Sequence, residues 1–462
     1  MSLSLSWKNE FIDSIRLAFP LMIAFIGYQL LSLVDTFVAG QIGVQTMAAV
    51  SIGSALYWGL TIFPMGVLLG LDPLISQSVG AGEDAKAWHY CLKGLSLILP
   101  LSLFFLAILI ILTQPSMPWL IKGDEVSREL LGYLQGRALG IPVLLIHTCL
   151  RCYLQAYEKT KPILLGIIFA NIINLPLSIY LGGGDALWHT FFGLPKLGLL
   201  ETGWGAFGIG LGSLIVSTSE ILVLGIFAIR QAKLPFKLDF QIKEWMSILK
   251  IGLPLGGALL CEGGVFSVST LMMSQWDATI ISGHQVTLQL VSFTFTFCLG
   301  ISNATSVRVG LGIGEKQFKK ALMSGAVGII LGLMIMSFMA FLFMNFGSFF
   351  AGLISSDPKV VEIATKILWI GACFQIFDGT QTICAGALRG AGMTNIPFWA
   401  ALISYWFLGL PIGLVLAFHY QWSVYGLWWG LCFGLIFAAI SLLFKFIQLY
   451  RHPEMLHRIE EE

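Results

Sequence analysis

The sequence predicts an all-α polytopic membrane protein of 12 transmembrane helices, built as two six-helix lobes related by a parallel internal repeat, and three observations predict it. First, 57% of the 462 residues are hydrophobic and only 11% are charged, whereas a soluble domain carries about 25% charge. Twelve spans of about 20–25 residues consume roughly 240–300 apolar-rich residues, so the loops between them are short. Second, the apolar residues run on without the sheet-like alternation of a membrane barrel. Third, the two halves of the chain can be laid on one another. A net charge of +1 also argues against a nucleic-acid footprint, which needs a clustered basic surface.

Each span is an apolar run bounded by charge, glycine or proline. The first (14–38) follows Glu10 and Asp13, contains Pro20, and runs to full membrane length without a small-residue cleavage site, so it reads as a retained span rather than a signal peptide. The second (46–73) ends at Gly70-Leu-Asp72-Pro73, and Lys122 and Arg128 part the third (90–113) from the fourth (129–151). The fifth (161–182) opens on Lys161-Pro162; the sixth (202–229) opens on glycines and closes before Arg230. Lys233, Lys237 and Lys243 precede the seventh (246–275), the eighth (279–305) stops short of Arg308, and the ninth (321–347) follows Lys319 and Lys320. The tenth (362–387) ends ahead of Arg389, the eleventh (395–418) holds Pro397, and the twelfth (422–447) leads to Arg451. This topology puts 20 of the 26 Lys and Arg residues on the side of the termini, leaving Lys122, Arg128, Arg137, Lys196, Lys359 and Lys366 opposite. Basic residues gather on the cytoplasmic side, so both termini are expected there. The expected organisation is an N-terminal lobe (1–230), a cytoplasmic linker (231–245) and a C-terminal lobe with a short tail (246–462).

A shift of 234–235 residues lays Pro20 on Pro254, Gln41 on Gln275, Pro162 on Pro397 and Leu175-Pro176 on Leu410-Pro411. A shift of 232 lays Gly80-Ala-Gly82-Glu83 on Gly312-Ile-Gly314-Glu315. Six spans per half is an even number, so both halves enter the membrane in the same sense, as in transporters with parallel repeats. The shared prolines remove backbone donors inside spans and mark shared kinks.

Ionisable groups within spans are costly and face a protein interior or a water cavity. Three acids stand out: Asp35 in span 1, Glu262 in span 7 and Asp378 in span 10, none with a Lys or Arg within a helical turn in the sequence. Desolvation favours the protonated form of a buried carboxylate, which suits a group that takes up and releases a proton or binds a bare cation. Under the repeat shift Asp35 meets Ser269, Glu262 meets Tyr28 and Asp378 meets Val143; the scaffold reads as duplicated and the charge as not. Asp72, at the cytoplasmic end of span 2, reads as a helix-boundary residue ahead of a transport role. Asn171 and Asn174, just before Pro176, either satisfy backbone freed by the proline or ligate a cation. His284 and Gln285 either recognise a polar substrate or bond a neighbouring helix. Arg308 and Arg389, at helix ends, are read as snorkelling to the surface. The aromatics Trp58, Phe293, Phe295 and Phe297 either face lipid or offer stacking surfaces to flat cations.

Eight cysteines lie mostly inside apolar runs and form no disulfide framework, and Cys149-Leu-Arg-Cys152 lacks a second pair for a metal site. Gly203-Trp-Gly205-Ala-Phe-Gly208 follows no strand and reads as helix packing. Asn303-Ala-Thr305 is a glycosylation sequon on the cytoplasmic side, and the sequence contains no HExxH, GxSxG or Walker lysine motif.

Leu33-Val-Asp35-Thr-Phe-Val-Ala-Gly40, Met47-Ala-Ala-Val-Ser51, Ser282-Gly-His284-Gln285-Val and Ala385-Gly-Ala-Leu-Arg389-Gly390, in this order within a six-plus-six repeat, resemble the multidrug and toxic compound extrusion (MATE) transporters, particularly their NorM-like branch. The resemblance covers nearly the whole chain. It implies a V-shaped pair of lobes around a cavity, exporting amphipathic organic cations in exchange for H⁺ or Na⁺. Asp35 then looks like the family's helix-1 carboxylate, Asn174 its helix-5 partner, Pro20 the hinge at which helix 1 bends, and Glu262 and Asp378 the acids of a C-lobe site that takes Na⁺ or protons. Ser178 stands where members with an N-lobe Na⁺ site have Asp, Gly210 where they have Thr, and Phe374 where a C-lobe Tyr is found, which tilts the expectation towards H⁺.

The expected function is therefore secondary antiport of small organic cations, with Tyr28, Gln285 and Phe374 lining the substrate cavity. No cofactor beyond the coupling ion, no catalytic activity, no nucleic acid and no obligate protein partner are expected, for a monomer in the bacterial inner membrane. A flippase for lipid-linked substrates needs a cationic cavity, and an intramembrane enzyme needs a nucleophile or metal beside Glu262 and Asp378. Neither pattern is present in the sequence.

Overall fold

A computed structural model describes residues 7–113, 124–236, 242–273 and 275–456. In chain order the helices are α1 (Trp7–Ile42), α2 (Val44–Leu68), α3 (Leu71–Gly80), α4 (Asp84–Leu112), α5 (Asp124–Ala138), α6 (Gly140–Ala156), α7 (Lys161–Phe192), α8 (Gly205–Ala232), α9 (Ile242–Met273), α10 (Ala278–Gly314), α11 (Phe318–Ile354), α12 (Pro358–Gly390), α13 (Asn395–His419) and α14 (Ser423–Arg451). Among the described residues, eleven helical segments are long and apolar enough to cross a membrane, and twelve when α5 and α6, bent by 41° at their junction, count as one span. The chain is thus an integral membrane protein of the expected all-helical class. Parts of the expected linker, 237–241, lie outside the described residues.

Several helices outrun the apolar segments that announce them. At 37 residues α10 is about 55 Å long, against a hydrocarbon core of about 30 Å. The expected span stops before Arg308, whereas the helix continues to Gly314, because Arg308 is buried in an ion pair. Its Nε and Nη2 donate to the two carboxylate oxygens of Glu10 at 2.6 and 2.7 Å, and Ser324 Oγ donates to the same carboxylate at 2.6 Å. Arg389 likewise lies 3.4 Å from Asp72, which is 1% exposed, and donates to Ser306 Oγ at 3.2 Å. The expectation that both arginines snorkel to the surface is therefore corrected, while Asp72 does stand at a helix boundary, in the first turn of α3.

The fifth apolar run extends as a helix to Phe192 but breaks at Gly184, whose φ of 69° and ψ of −164° lie in a region open to glycine. The adjacent Asp185 accepts hydrogen bonds from the backbone N–H groups of Leu197 and Gly198. In α13, Leu402–Gly409 and Val415–His419 are π-helical, on either side of a turn containing Pro411. Proline lacks an amide donor, and the wider i→i+5 ladder accommodates the displaced bonding.

The chain packs as two units: Met1–Phe25 with Asp72–Asp84 and Leu249–Glu462 in one, Ile26–Leu71 with Ala85–Ile248 in the other. In the first, an apolar core is built around Trp428, Phe374, Leu431 and Ile367. There the two repeat-related glycine motifs meet. A Cβ on Gly80 would stand 2.2 Å from the Leu311 carbonyl oxygen, and one on Gly314 would stand 2.0 Å from that of Gln77. The helix backbones touch, as small residues allow within membranes. Gly314→Val is expected to lower the melting temperature of the purified protein clearly, since backbone rather than a mobile side chain must give way; an unchanged melting curve would contradict this contact. In the second unit Glu244, near the start of α9, pairs with the buried Lys93 and lies 3.2 Å from His89.

Candidate functional site

The second unit carries Asp35 on α1, 3% exposed, in a polar cluster within apolar helices. Asn174 Nδ2 and Ser178 Oγ, one turn apart on α7, each donate to Asp35 Oδ1 at 3.2 Å, and Ser213 Oγ of α8 donates to Oδ2 at 2.5 Å. Asn174 also donates to the Leu31 carbonyl, and Asn171 to that of Gly27. The asparagines thus hold α1 against α7 rather than only repairing the proline break. Spacing explains the assembly: Asn174 and Ser178 stand at i and i+4, on one helix face.

One partner departs from the sequence reading. Arg137 of α5 lies 3.7 Å from Asp35 Oδ2, donates to Tyr133 Oη at 2.6 Å, and sits 4.6 Å over the Tyr57 ring. The absence of a basic residue next to Asp35 in sequence therefore does not hold in space, because α5 delivers one from 102 positions away. A guanidinium is well suited to this position, being able to pair with a carboxylate and stack on aromatic faces at once.

The first unit carries Glu262 on α9 and Asp378 on α12. The two acids act electrostatically on each other, and Gln381 is near enough to act on the Glu262 carboxylate. Tyr405, on the π-helical part of α13 and 1% exposed, lies within electrostatic reach of both acids. Its hydroxyl, unforeseen in the sequence, stands near the acids although Phe374 does not supply one. Phe374 itself is 1% exposed and packs edge-on against Phe266 and at a tilt against Trp428. It is a core residue here, in place of the expected cavity lining. Gln285 is partly buried, while its neighbour His284 is held by Trp428 Nε1, which donates to Nδ1 at 3.2 Å, and by Thr270 Oγ1 at 3.0 Å from Nε2. Pro20 lies inside an unbroken α1. Tyr28, the repeat partner of Glu262, is bonded to two residues the sequence reading passed over, His147 and Glu220. Both lie inside predicted spans, where the rule that flagged Asp35 applies equally.

A cavity of about 510 Å³ in the second unit is lined by Ile42, Glu129, Gly182, Ala186, Glu201 and Trp204, among others. None of the four acid-site residues Asp35, Asn174, Glu262 and Asp378 borders it. Among the described residues no group of three or more His, Cys, Asp or Glu side chains is placed to hold a metal.

The MatE family model matches residues 20–180 and again 254–415, and the chain belongs to this family. The double match is the internal repeat seen from outside the sequence. Among curated relatives, the probable multidrug resistance protein NorM of Halalkalibacterium halodurans is 31% identical over 452 residues, 96% of this chain and 95% of the relative. The multidrug resistance protein NorM of Vibrio cholerae is 30% identical over 448 residues, 94% and 95% of the two chains. The fold matches the eukaryotic MATE transporter AtDTX14 with a TM-score of 0.81 at 20% identity over 96% of each chain. It also matches an outward-facing multidrug resistance MATE transporter of the MOP superfamily with a TM-score of 0.83 at 17% identity over 97% of each.

Proposed function

We propose that this chain is a multidrug efflux antiporter of the bacterial inner membrane, with both termini cytoplasmic, that exports amphipathic organic cations in exchange for protons by alternating access. The observation that carries this reading is the buried Asp35 carboxylate, tied at once to Arg137, Asn174, Ser178 and Ser213. Protonation neutralises the charge that Arg137 pairs with and weakens three accepted hydrogen bonds. A ligand shifts a conformational equilibrium only through its differential affinity for the two states, and a proton that weakens four contacts of one state has such a differential. The multidrug names of the NorM relatives support the substrate class.

Three features favour H⁺ over Na⁺ at Asp35. The Arg137 guanidinium, 3.7 Å away, repels a second cation, a cost that grows as the local dielectric falls. Position 178 offers only a hydroxyl, already bonded to Asp35. At Gly210 a Cβ would stand 2.6 Å from the Tyr133 carbonyl oxygen, so the helices leave no room for a ligating side chain. Glu262 and Asp378, with Gln381 and Tyr405 nearby, form a second acid site that serves coupling in the C-terminal half. If Asp35→Asn, Glu262→Gln and Asp378→Asn each left ethidium efflux from expressing cells intact at normal expression, this assignment of roles would be wrong; the expected result is loss of efflux in Asp35→Asn and impaired efflux in the other two.

A further inference from the structure

We propose that Tyr28, His147 and Glu220 form a second proton-binding site in the first repeat, at the station that Glu262 and Gln381 occupy in the second. The inference rests on the proton-antiport reading and adds a site to it.

The three side chains come from α1, α6 and α8. Tyr28 Oη donates to Glu220 Oε1 at 2.7 Å, and His147 Nε2 lies 2.9 Å from that hydroxyl and 3.2 Å from the same carboxylate oxygen. A phenol has one hydrogen to give, and here it goes to Glu220, so His147 approaches both oxygens with an Nε2–H. Nδ1 is then the nitrogen that gains or loses a proton. With Nδ1 bare the cluster is carboxylate, phenol and neutral imidazole; with Nδ1 protonated it is carboxylate, phenol and imidazolium. Every contact survives in both states, and the net charge changes between −1 and 0.

Burial makes the stored proton matter. His147 and Glu220 are 7% and 4% exposed, and a buried charge is tolerated when paired and hydrogen-bonded. The charged and titratable groups facing the cluster are Tyr28 from α1, Glu220 from α8, and His147 and Arg151 from α6, the last acting electrostatically on Glu220 and Tyr28. From α7 the wall is Gly166, where a Cβ would stand 3.1 Å from Glu220 Cγ. The cluster is also in register with Asp35. Tyr28 precedes Asp35 by two turns on α1, and Glu220 follows Ser213, the partner of Asp35, by two turns on α8, an offset of about 10 Å along each axis.

The repeat gives independent support. Tyr28 and Glu262 are 234 positions apart, and so are His147 and Gln381. The turn after each fourth span fixes this register: Glu158 and Gly392, also 234 apart, both have positive φ, 54° and 77°. Their amides bond to Gln155 and Arg389 at 2.8 Å each, with matching 2.9 Å bonds from Lys159 to Leu154 and from Met393 to Leu388. The contact Tyr28–His147 is therefore the counterpart of Glu262–Gln381. In the second repeat the acid stands on the first span; in the first repeat Tyr28 takes that place and the acid arrives from the sixth span as Glu220. Read from sequence, the charge of the repeat is not duplicated. In space it is, by different residues.

The test measures protons released per tetraphenylphosphonium bound, using a pH-sensitive dye and the full-length purified protein in weakly buffered lipid nanodiscs. Wild type is compared with Asp35→Asn, Glu220→Gln and His147→Gln, the last installing the second repeat's own residue, which keeps an amide for the hydrogen bond should Glu220→Gln fail to fold. The expected result is about one proton fewer in His147→Gln than in wild type at a pH where the site is loaded, with tetraphenylphosphonium still bound. A count equal to wild type in His147→Gln, with a reduced count in Asp35→Asn, overturns this site and keeps the antiport reading. A reduced count in His147→Gln with none in Asp35→Asn upholds this site and overturns the role of Asp35, and no release from wild type overturns both.

Discussion

Arg308→Leu is expected to lower the unfolding free energy of the purified protein by about 3–5 kcal/mol, the cost of leaving one member of a buried ion pair uncompensated. Glu10 holds both guanidinium bonds and the Ser324 hydroxyl, and it is 4% exposed, so removal of Arg308 strands a carboxylate that water reaches poorly. The double variant Glu10→Leu, Arg308→Leu is expected to recover most of that loss, because hydrophobic replacements of both partners leave no orphan charge. Denaturant titration in one detergent, with all variants side by side, reads the difference directly. Equal stabilities of wild type and Arg308→Leu would return Arg308 to the snorkelling role that its place at the end of an apolar run suggests.

Asp35→Asn is expected to abolish coupled efflux while leaving the protein folded. Asparagine keeps the shape, but its single carbonyl oxygen can accept either from Asn174 and Ser178 or from Ser213, not from both sides, and it can neither take up a proton nor balance Arg137. The expected signature is ethidium retention at the level of empty vesicles, with a monodisperse profile on size exclusion. A variant that still drives efflux against a concentration gradient would move the coupling chemistry away from this cluster.

Much of this was legible from the chain, for physical reasons that differ between features. The spans follow from the cost of unsatisfied backbone in hydrocarbon, which compels long apolar helices, and the repeat follows from prolines and glycines that fix kinks and close contacts in both halves. Gly80 and Gly314 illustrate the second point, since they belong to segments that match in sequence and then touch neighbouring backbone in the fold. Asp35 with Asn174 was legible because a lone acid in an apolar run has few explanations. Arg137 was not, because its partner lies on a helix remote in sequence and it counts there only as one of the basic residues on the side opposite the termini. Arg308 and Arg389 were misjudged alike, since a charge at the end of an apolar run looks the same whether it reaches water or a buried partner. Glu220 and His147 carried the same signal as Asp35. Their association with Tyr28 depends on three helices converging, which no spacing along one helix reveals. Phe374 reads as a cavity residue only by position, and packing against Phe266 and Trp428 assigns it to the core.

The most direct test of the account is ethidium efflux from proteoliposomes under a pH gradient alone or a Na⁺ gradient alone, with Asp35→Asn alongside. Proton antiport through Asp35 predicts efflux driven by the pH gradient, none driven by Na⁺, and loss of the first in the variant. Efflux driven by Na⁺ alone would contradict it and place the coupling ion at Glu262 and Asp378, away from the guanidinium of Arg137.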